Sequence, residues 1–177
     1  MSDALLPILI VPDARLRQKC RPVGPADADA LRDLAPRMLA TMYQAPGIGL
    51  AAPQVGTLLR VAVVDVSKDE EARTPFILIN PEIIAASRDS FTREEGCLSL
   101  PGQYADVTRP AEIKLRYLDL AGAKHEIHAD GLFATCIQHE LDHLDGVLFV
   151  DHLSALKRNM LLRKLAKDMK LRQREAM

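Results

Sequence analysis

One short run, His139-Glu140-Leu141-Asp142-His143, limits what this chain can fold into more than any other. Two histidines four residues apart share a face only on an α-helix, where one ring stacks a turn above the other and both can reach a single ion. Glu140, between them, then stands beside whatever that ion binds. A divalent cation held this way acidifies a coordinated water, and a neighbouring carboxylate can take its proton, which is the chemistry of hydrolysis. With five His in 177 residues, composition alone would produce the pattern in about 1% of such chains, so accident explains it poorly.

Two imidazoles leave a catalytic site open, because such sites usually hold three protein ligands and one exchangeable position. The chain offers several candidates for the third. Cys136 lies one turn before His139, although a cysteine there also suits a helix core. His125 and His128 lie on an extended segment with side chains on opposite faces. Cys97 lies in Glu94-Glu95-Gly96-Cys97-Leu98-Ser99-Leu100-Pro101-Gly102, where the glycines and proline predict a tight, positioned loop. Spacing alone does not choose between Cys97 and Cys136.

Around the motif the chain reads as α+β. Leu31, Leu34, Met38, Leu39 and Met42 recur at helical spacing between Asp27 and Gln44, with Pro36 expected to bend that helix or delay its start. Strand-like runs follow at Arg60 to Val66 and Phe76 to Ile84. Between Asp106 and Ala129, two extended stretches flank Ala121-Gly122 and predict an antiparallel hairpin. Asp130 is placed to cap the metal-binding helix from Gly131 to Asp145, and Gly146 to end it. A last amphipathic helix is predicted from Ser154 to Gln173. The expected architecture is antiparallel strands around a central metal-binding helix, with an N-terminal and a C-terminal helix, in one catalytic domain over residues 1–177.

Composition supports this reading. An apolar share of 48%, a charged share of 27% and 177 residues suffice for one folded core without disulfides. A net charge of -1 gives no bulk attraction to nucleic acid or membrane. Three widely spaced cysteines suit a reducing compartment. No basic leader precedes the first apolar residues and no apolar run could span a bilayer, so a cytoplasmic location without membrane contact is expected.

Three segments together carry a family resemblance: Gly47-Ile48-Gly49-Leu50-Ala51-Ala52-Pro53-Gln54, Glu95-Gly96-Cys97-Leu98-Ser99 and Gln138-His139-Glu140-Leu141-Asp142-His143. In this order and at these separations they resemble the signature motifs of the peptide deformylases, and the flanking elements extend the likeness over most of the chain. The resemblance implies a metal-dependent hydrolase that removes the N-formyl group from the N-terminal methionine of nascent polypeptides and releases formate. It implies Cys97, His139 and His143 as metal ligands, with Fe2+ as the usual ion and Zn2+ or Ni2+ as substitutes. Glu140 becomes the general base, and Gln54 and the Leu98 backbone N–H become the donors that stabilise the oxyanion. Ile48, Leu132 and Cys136 would line the methionine pocket, with Gly49 and Gly96 allowing close approach of substrate backbone. Glu95 and Arg109 would pair behind the cysteine. Tyr104 falls at a variable place near the pocket mouth, and Leu141 where many relatives carry another apolar residue.

Other readings are weaker. Gly47 to Ala52 also fits a G-x-G-x-x-A nucleotide fingerprint, but a helix precedes it, Pro53 follows it and no β-α-β unit surrounds it. A zinc peptidase would place its third ligand downstream of the helix, and Asp145, Asp151 and His152 do not fit that spacing. The last segment, from Lys157 and Arg158 to Arg172 and Arg174, carries basic residues against Asp168 and Glu175. A solvated helix face is the plain reading, and contact with ribosomal RNA near the nascent chain the sharper one.

Overall fold

The computed structural model describes residues 4–177. Helix α1 (Ala28–Gln44) is followed by β1 (Gly49–Ala51), β2 (Val61–Val64), β3 (Phe76–Ala86), β4 (Ser90–Cys97), β5 (Leu100–Pro110), β6 (Glu112–Leu118) and β7 (Lys124–Asp130), then by helices α2 (Gly131–Leu144) and α3 (Ala155–Glu175). The strands form two sheets, one in the order β1-β2-β3-β6-β7 and one made of β4 and β5. Every strand pairing is antiparallel. The α+β architecture expected from the sequence is therefore the one observed.

The larger sheet lies between two helices, and the sequence of β2 shows why. Its four residues are all buried, which requires both faces to be covered. Val61 and Val63 pack with Leu31, Met38 and Met42 of α1, whereas Val64 packs with Ala134, Ile137 and Leu141 of α2. Fully buried side chains such as Met38, Leu50 and Ile137 each contribute roughly 1.5–3 kcal/mol through the area removed from water. A further cluster joins Leu100 and Val107 of β5 to Phe149 and Leu165, and so seats the small sheet against the first half of α3.

Several expectations need correction. Pro36 does not delay the start of α1, because it lies inside a helix that runs from Ala28 to Gln44. Proline removes one backbone hydrogen bond, and burial of Leu31, Ala35, Met38 and Met42 on one stripe outweighs it. Asp130 occupies the N-cap position of α2, but its side chain makes no capping hydrogen bond. Gly146 does end α2: its φ is +75°, and its N–H donates to the His143 carbonyl at 3.1 Å. The largest correction concerns residues 94–102, which form no free loop. They are the closing end of a long β4–β5 hairpin, with Leu98 and Ser99 at its turn.

Candidate metal centre and active site

The hairpin turn and α2 bring the chemistry-bearing side chains together. Among the described residues, Cys97, His139 and His143 form the one cluster able to hold a metal ion, with all three donor atoms within 4.8 Å of one another. The His143 Nε2 atom lies 3.2 Å from His139 Nε2 and 3.3 Å from Cys97 Sγ. Atoms bound tetrahedrally at about 2.0–2.3 Å from one ion are separated by roughly 3.3–3.6 Å, so the two distances from His143 are close to those expected around one small cation with a thiolate and two imidazoles as donors.

The surroundings favour positive charge at this place. Burial opposes charge on His139, but Cys97 and Glu95, as hydrogen-bond partners, and the nearby Glu140 outweigh it and hold His139 well above the ordinary imidazole range. Burial, reinforced by the positive charges of His139 and Arg109, drives His143 well below that range. A cation shared by both rings satisfies the same anionic groups.

Glu140 is 3% exposed, and its Oε2 atom has no hydrogen-bond partner. Burial is the main cause that raises its carboxyl to about 7, with the His139 charge working against the rise. A carboxylate poised there can both accept and return a proton near neutrality. It lines a cleft of about 740 Å³ together with Ile48, Gly49, Gln54, Gly96, Cys97, Leu98, Leu132, Cys136 and His139. Ile48 and Leu132 lie at its rim, 40% and 38% exposed. His143 lies behind this wall, 1% exposed.

Gln54 is held by its own amide. Its Oε1 accepts from the Ala51 N–H at 2.9 Å, which leaves Nε2 to donate to Ser99 Oγ at 3.1 Å and to lie 3.5 Å from Cys97 Sγ. Two glycines make room at the cleft. A Cβ on Gly49 would collide with the carboxylate of Glu140 and come within 2.8 Å of Cys136 Sγ, and one on Gly96 would strike the Tyr104 ring. Leu98 packs under Gly47, where a Cβ would approach Leu98 Cδ1 to 2.9 Å.

The rival third ligands have other partners. The Cys136 thiol donates to the Ile48 carbonyl at 3.4 Å, and burial pushes its pKa well up, which keeps it protonated. His125 pairs with Asp119 at 2.7 Å, and His128 with Glu112 at 3.2 Å, both on the β6–β7 side of the large sheet. Arg109 does not reach the cleft. It forks onto Glu95 at 2.7 and 2.9 Å with both side chains buried, and Glu95 in turn holds His139 Nδ1 at 2.9 Å. Such an orientation leaves Nε2 as the ring nitrogen facing the cluster.

The chain matches the Polypeptide deformylase family over residues 5–159. It belongs to that family. Removal of the formyl group from new polypeptides is the activity of the deformylases, and this chain is an enzyme of the family. A peptide deformylase of Mesorhizobium japonicum is 54% identical over 165 residues, covering 92% of this chain and 93% of that protein. One of Zymomonas mobilis is 52% identical over 174 residues, covering 96% and 98%. Among solved structures, a deformylase of Legionella pneumophila superimposes with a TM-score of 0.89 at 45% identity, over 97% of this chain and 99% of that one. The deformylase of Ehrlichia chaffeensis, solved in complex with actinonin, superimposes with a TM-score of 0.87 at 38% identity, over 93% and 98%.

Some residues of the site escaped the sequence reading. Ser99 takes a hydrogen bond from Gln54. Arg93 and Thr135 line the cleft, and the Arg93 Nε atom is buried without a hydrogen bond. Asp142, a member of the motif itself, accepts from Arg109 at 2.8 Å. Arg93 stands two residues before Glu95 on β4 and shares its face, but nothing in the sequence marks β4 as a strand, so no signal could have singled it out.

Proposed function

We propose that this centre hydrolyses the formamide of N-formylmethionyl polypeptides, releasing formate and a free amino terminus. The observation that carries the reading is the convergence of Cys97, His139 and His143 donor atoms within 4.8 Å, beside a cleft that Glu140 lines. A cation held by these three residues, when bound, would polarise and acidify a water molecule. Ferrous iron is the ion we favour from the family resemblance, with zinc or nickel as substitutes, since one thiolate and two imidazoles accept any of them.

Within this proposal the protein's own groups do the following. Glu140 takes the proton of the attacking water and passes it to the departing amine as the C–N bond breaks. Gln54 Nε2 and the Leu98 N–H donate to the oxygen on which negative charge develops. Ile48, Leu132 and Cys136 receive the methionine side chain, and Gly49 and Gly96 admit substrate backbone. Glu95, gripped by Arg109, holds the His139 ring in place.

Metal analysis after anaerobic purification, paired with formate release from a formyl-Met peptide, tests the reading. Activity proportional to bound iron is expected, together with loss of activity and retention of metal in Glu140→Ala. A metal-free protein that still released formate would overturn it.

A cytoplasmic location and contact between α3 and the ribosome belong to the same proposal. No helix among the described residues is long and apolar enough to cross a membrane. Residues Arg163, Lys164, Lys167 and Lys170 of α3 are exposed, while Leu165 is its buried anchor. Replacing those four by Gln keeps the anchor. Ribosome co-sedimentation should then weaken and depend less steeply on salt, and unchanged binding would remove α3 from the interaction.

A further inference from the structure

The metal ligands come from two parts of the fold that share no backbone ladder. Cys97 ends β4 in the two-stranded sheet, whereas His139 and His143 belong to α2, packed on the five-stranded one. Their separation depends on how the hairpin is held against the helix, and buried side chains make the connection. Glu95 of β4 reaches His139. Arg109 of β5, 6% exposed, binds Glu95 through Nε and one terminal nitrogen, and turns its other terminal nitrogen to Asp142 Oδ2 at 2.8 Å. That same Asp142 oxygen meets His152 Nε2 at 2.7 Å, from the 3-10 turn Phe149–His152, with His152 36% exposed at the surface.

From this chain of contacts we propose that Asp142 and His152 are positioning residues for the metal centre, acting through Arg109 and Glu95 on His139 and on the hairpin that carries Cys97. The proposal rests on Cys97, His139 and His143 being the ligands. A guanidinium is a rigid planar fork, so fixing its third nitrogen fixes the plane in which the other two meet Glu95. Without Asp142, Arg109 has one anionic partner in place of two and can pivot about Glu95. The hairpin then loses one of its ties to α2, the one that reaches the turn between the two histidines, and keeps the contact of Glu95 with His139. His152 holds Asp142 from the solvent side, because one oxygen accepting from both Arg109 and His152 cannot swing away from either. A depression lined by Arg109, Asp142, Gln138 and His152 opens on that side, and neither Asp142 nor His152 lines the cleft that Glu140 borders, so the effect does not run through direct substrate contact there.

Metal affinity measured by chelator competition, with the absorption of the Co2+-loaded protein as a second readout, tests this apart from turnover. Asp142→Ala should weaken affinity about 10- to 100-fold and shift the thiolate-to-cobalt band. His152→Ala should weaken it a few-fold, and the double variant should be no worse than Asp142→Ala alone. Asp142→Asn, which keeps an acceptor oxygen, should recover part of the loss. If Asp142→Ala does not fold, His152→Ala and Asp142→Asn carry the test. Affinities and spectra equal to the parent's in these variants would overturn the proposal, provided that Cys97→Ala and His139→Ala lose the ion. Retention of the ion by Cys97→Ala or His139→Ala would instead overturn the ligand assignment itself.

Discussion

Gly49 lies against the carboxylate of Glu140 so closely that no side chain fits between them, and Cys136 Sγ closes the same space from the helix. The backbone of β1 thus forms part of the wall that holds Glu140, the proposed general base, in its buried position. Gly49→Ala should push Glu140 away from the cleft. Displacement of a catalytic group by about 1 Å costs roughly 100-fold in rate, so kcat/KM should drop by about that factor while bound metal stays near one ion per chain. Wild-type kinetics in a metallated Gly49→Ala protein would show that the contact is immaterial.

The two cysteines near the histidines should separate cleanly. Cys97→Ala removes one of three donor atoms and should abolish tight metal binding. Cys136→Ala deletes a buried, protonated thiol that donates to the Ile48 carbonyl, and it should keep the ion while reducing stability by about 1–2 kcal/mol through a small cavity and a lost hydrogen bond. Metal content after dialysis and urea unfolding distinguish the two outcomes.

Acid should unfold the protein partly through Glu95. Burial works against its ionisation, but hydrogen bonds from His139 and Arg109 and their charges prevail and lower its carboxyl from 4.5 to about 2. A pKa depressed by folding contributes stability that is fully present above about 4.5 and lost as the pH falls towards 2. The contribution is on the order of 3 kcal/mol. In the metal-free protein, unfolding free energy should therefore decline more between pH 5 and about 2 for the parent than for Glu95→Gln, which has no proton to take up. Equal slopes would contradict it.

Gly146 combines a positive φ with crowding. Its φ is +75°, and a Cβ there would come within 2.5 Å of the Arg17 carbonyl oxygen, which belongs to backbone and has little freedom to give way. Gly146→Ala should destabilise the protein by about 2–4 kcal/mol. A melting temperature within a degree of the parent's would refute this.

Helix α2, the β6–β7 hairpin and α3 were legible in the sequence because each carries its own period or turn signal. The β4–β5 hairpin was not. Strand β4, Ser90 to Cys97, buries only Glu95 fully and turns most other side chains to solvent or to the cleft, so no apolar alternation marks it. For the same reason Cys97 could not be chosen over Cys136 from spacing. The choice depends on which sheet edge lies against α2, a tertiary fact that local periodicity does not encode. Family resemblance supplied what periodicity lacked, and the fork from Arg109 to Asp142 was visible to neither.

The amide of Gln54 has one further consequence. The Ala51 N–H can only give a hydrogen, so the oxygen end of that amide is committed to the backbone and its nitrogen end is turned to the cysteine side before any substrate arrives. The cost of aligning this dipole is met during folding, not during each turnover, and in the role proposed for Gln54 the reacting carbonyl would meet a donor already oriented.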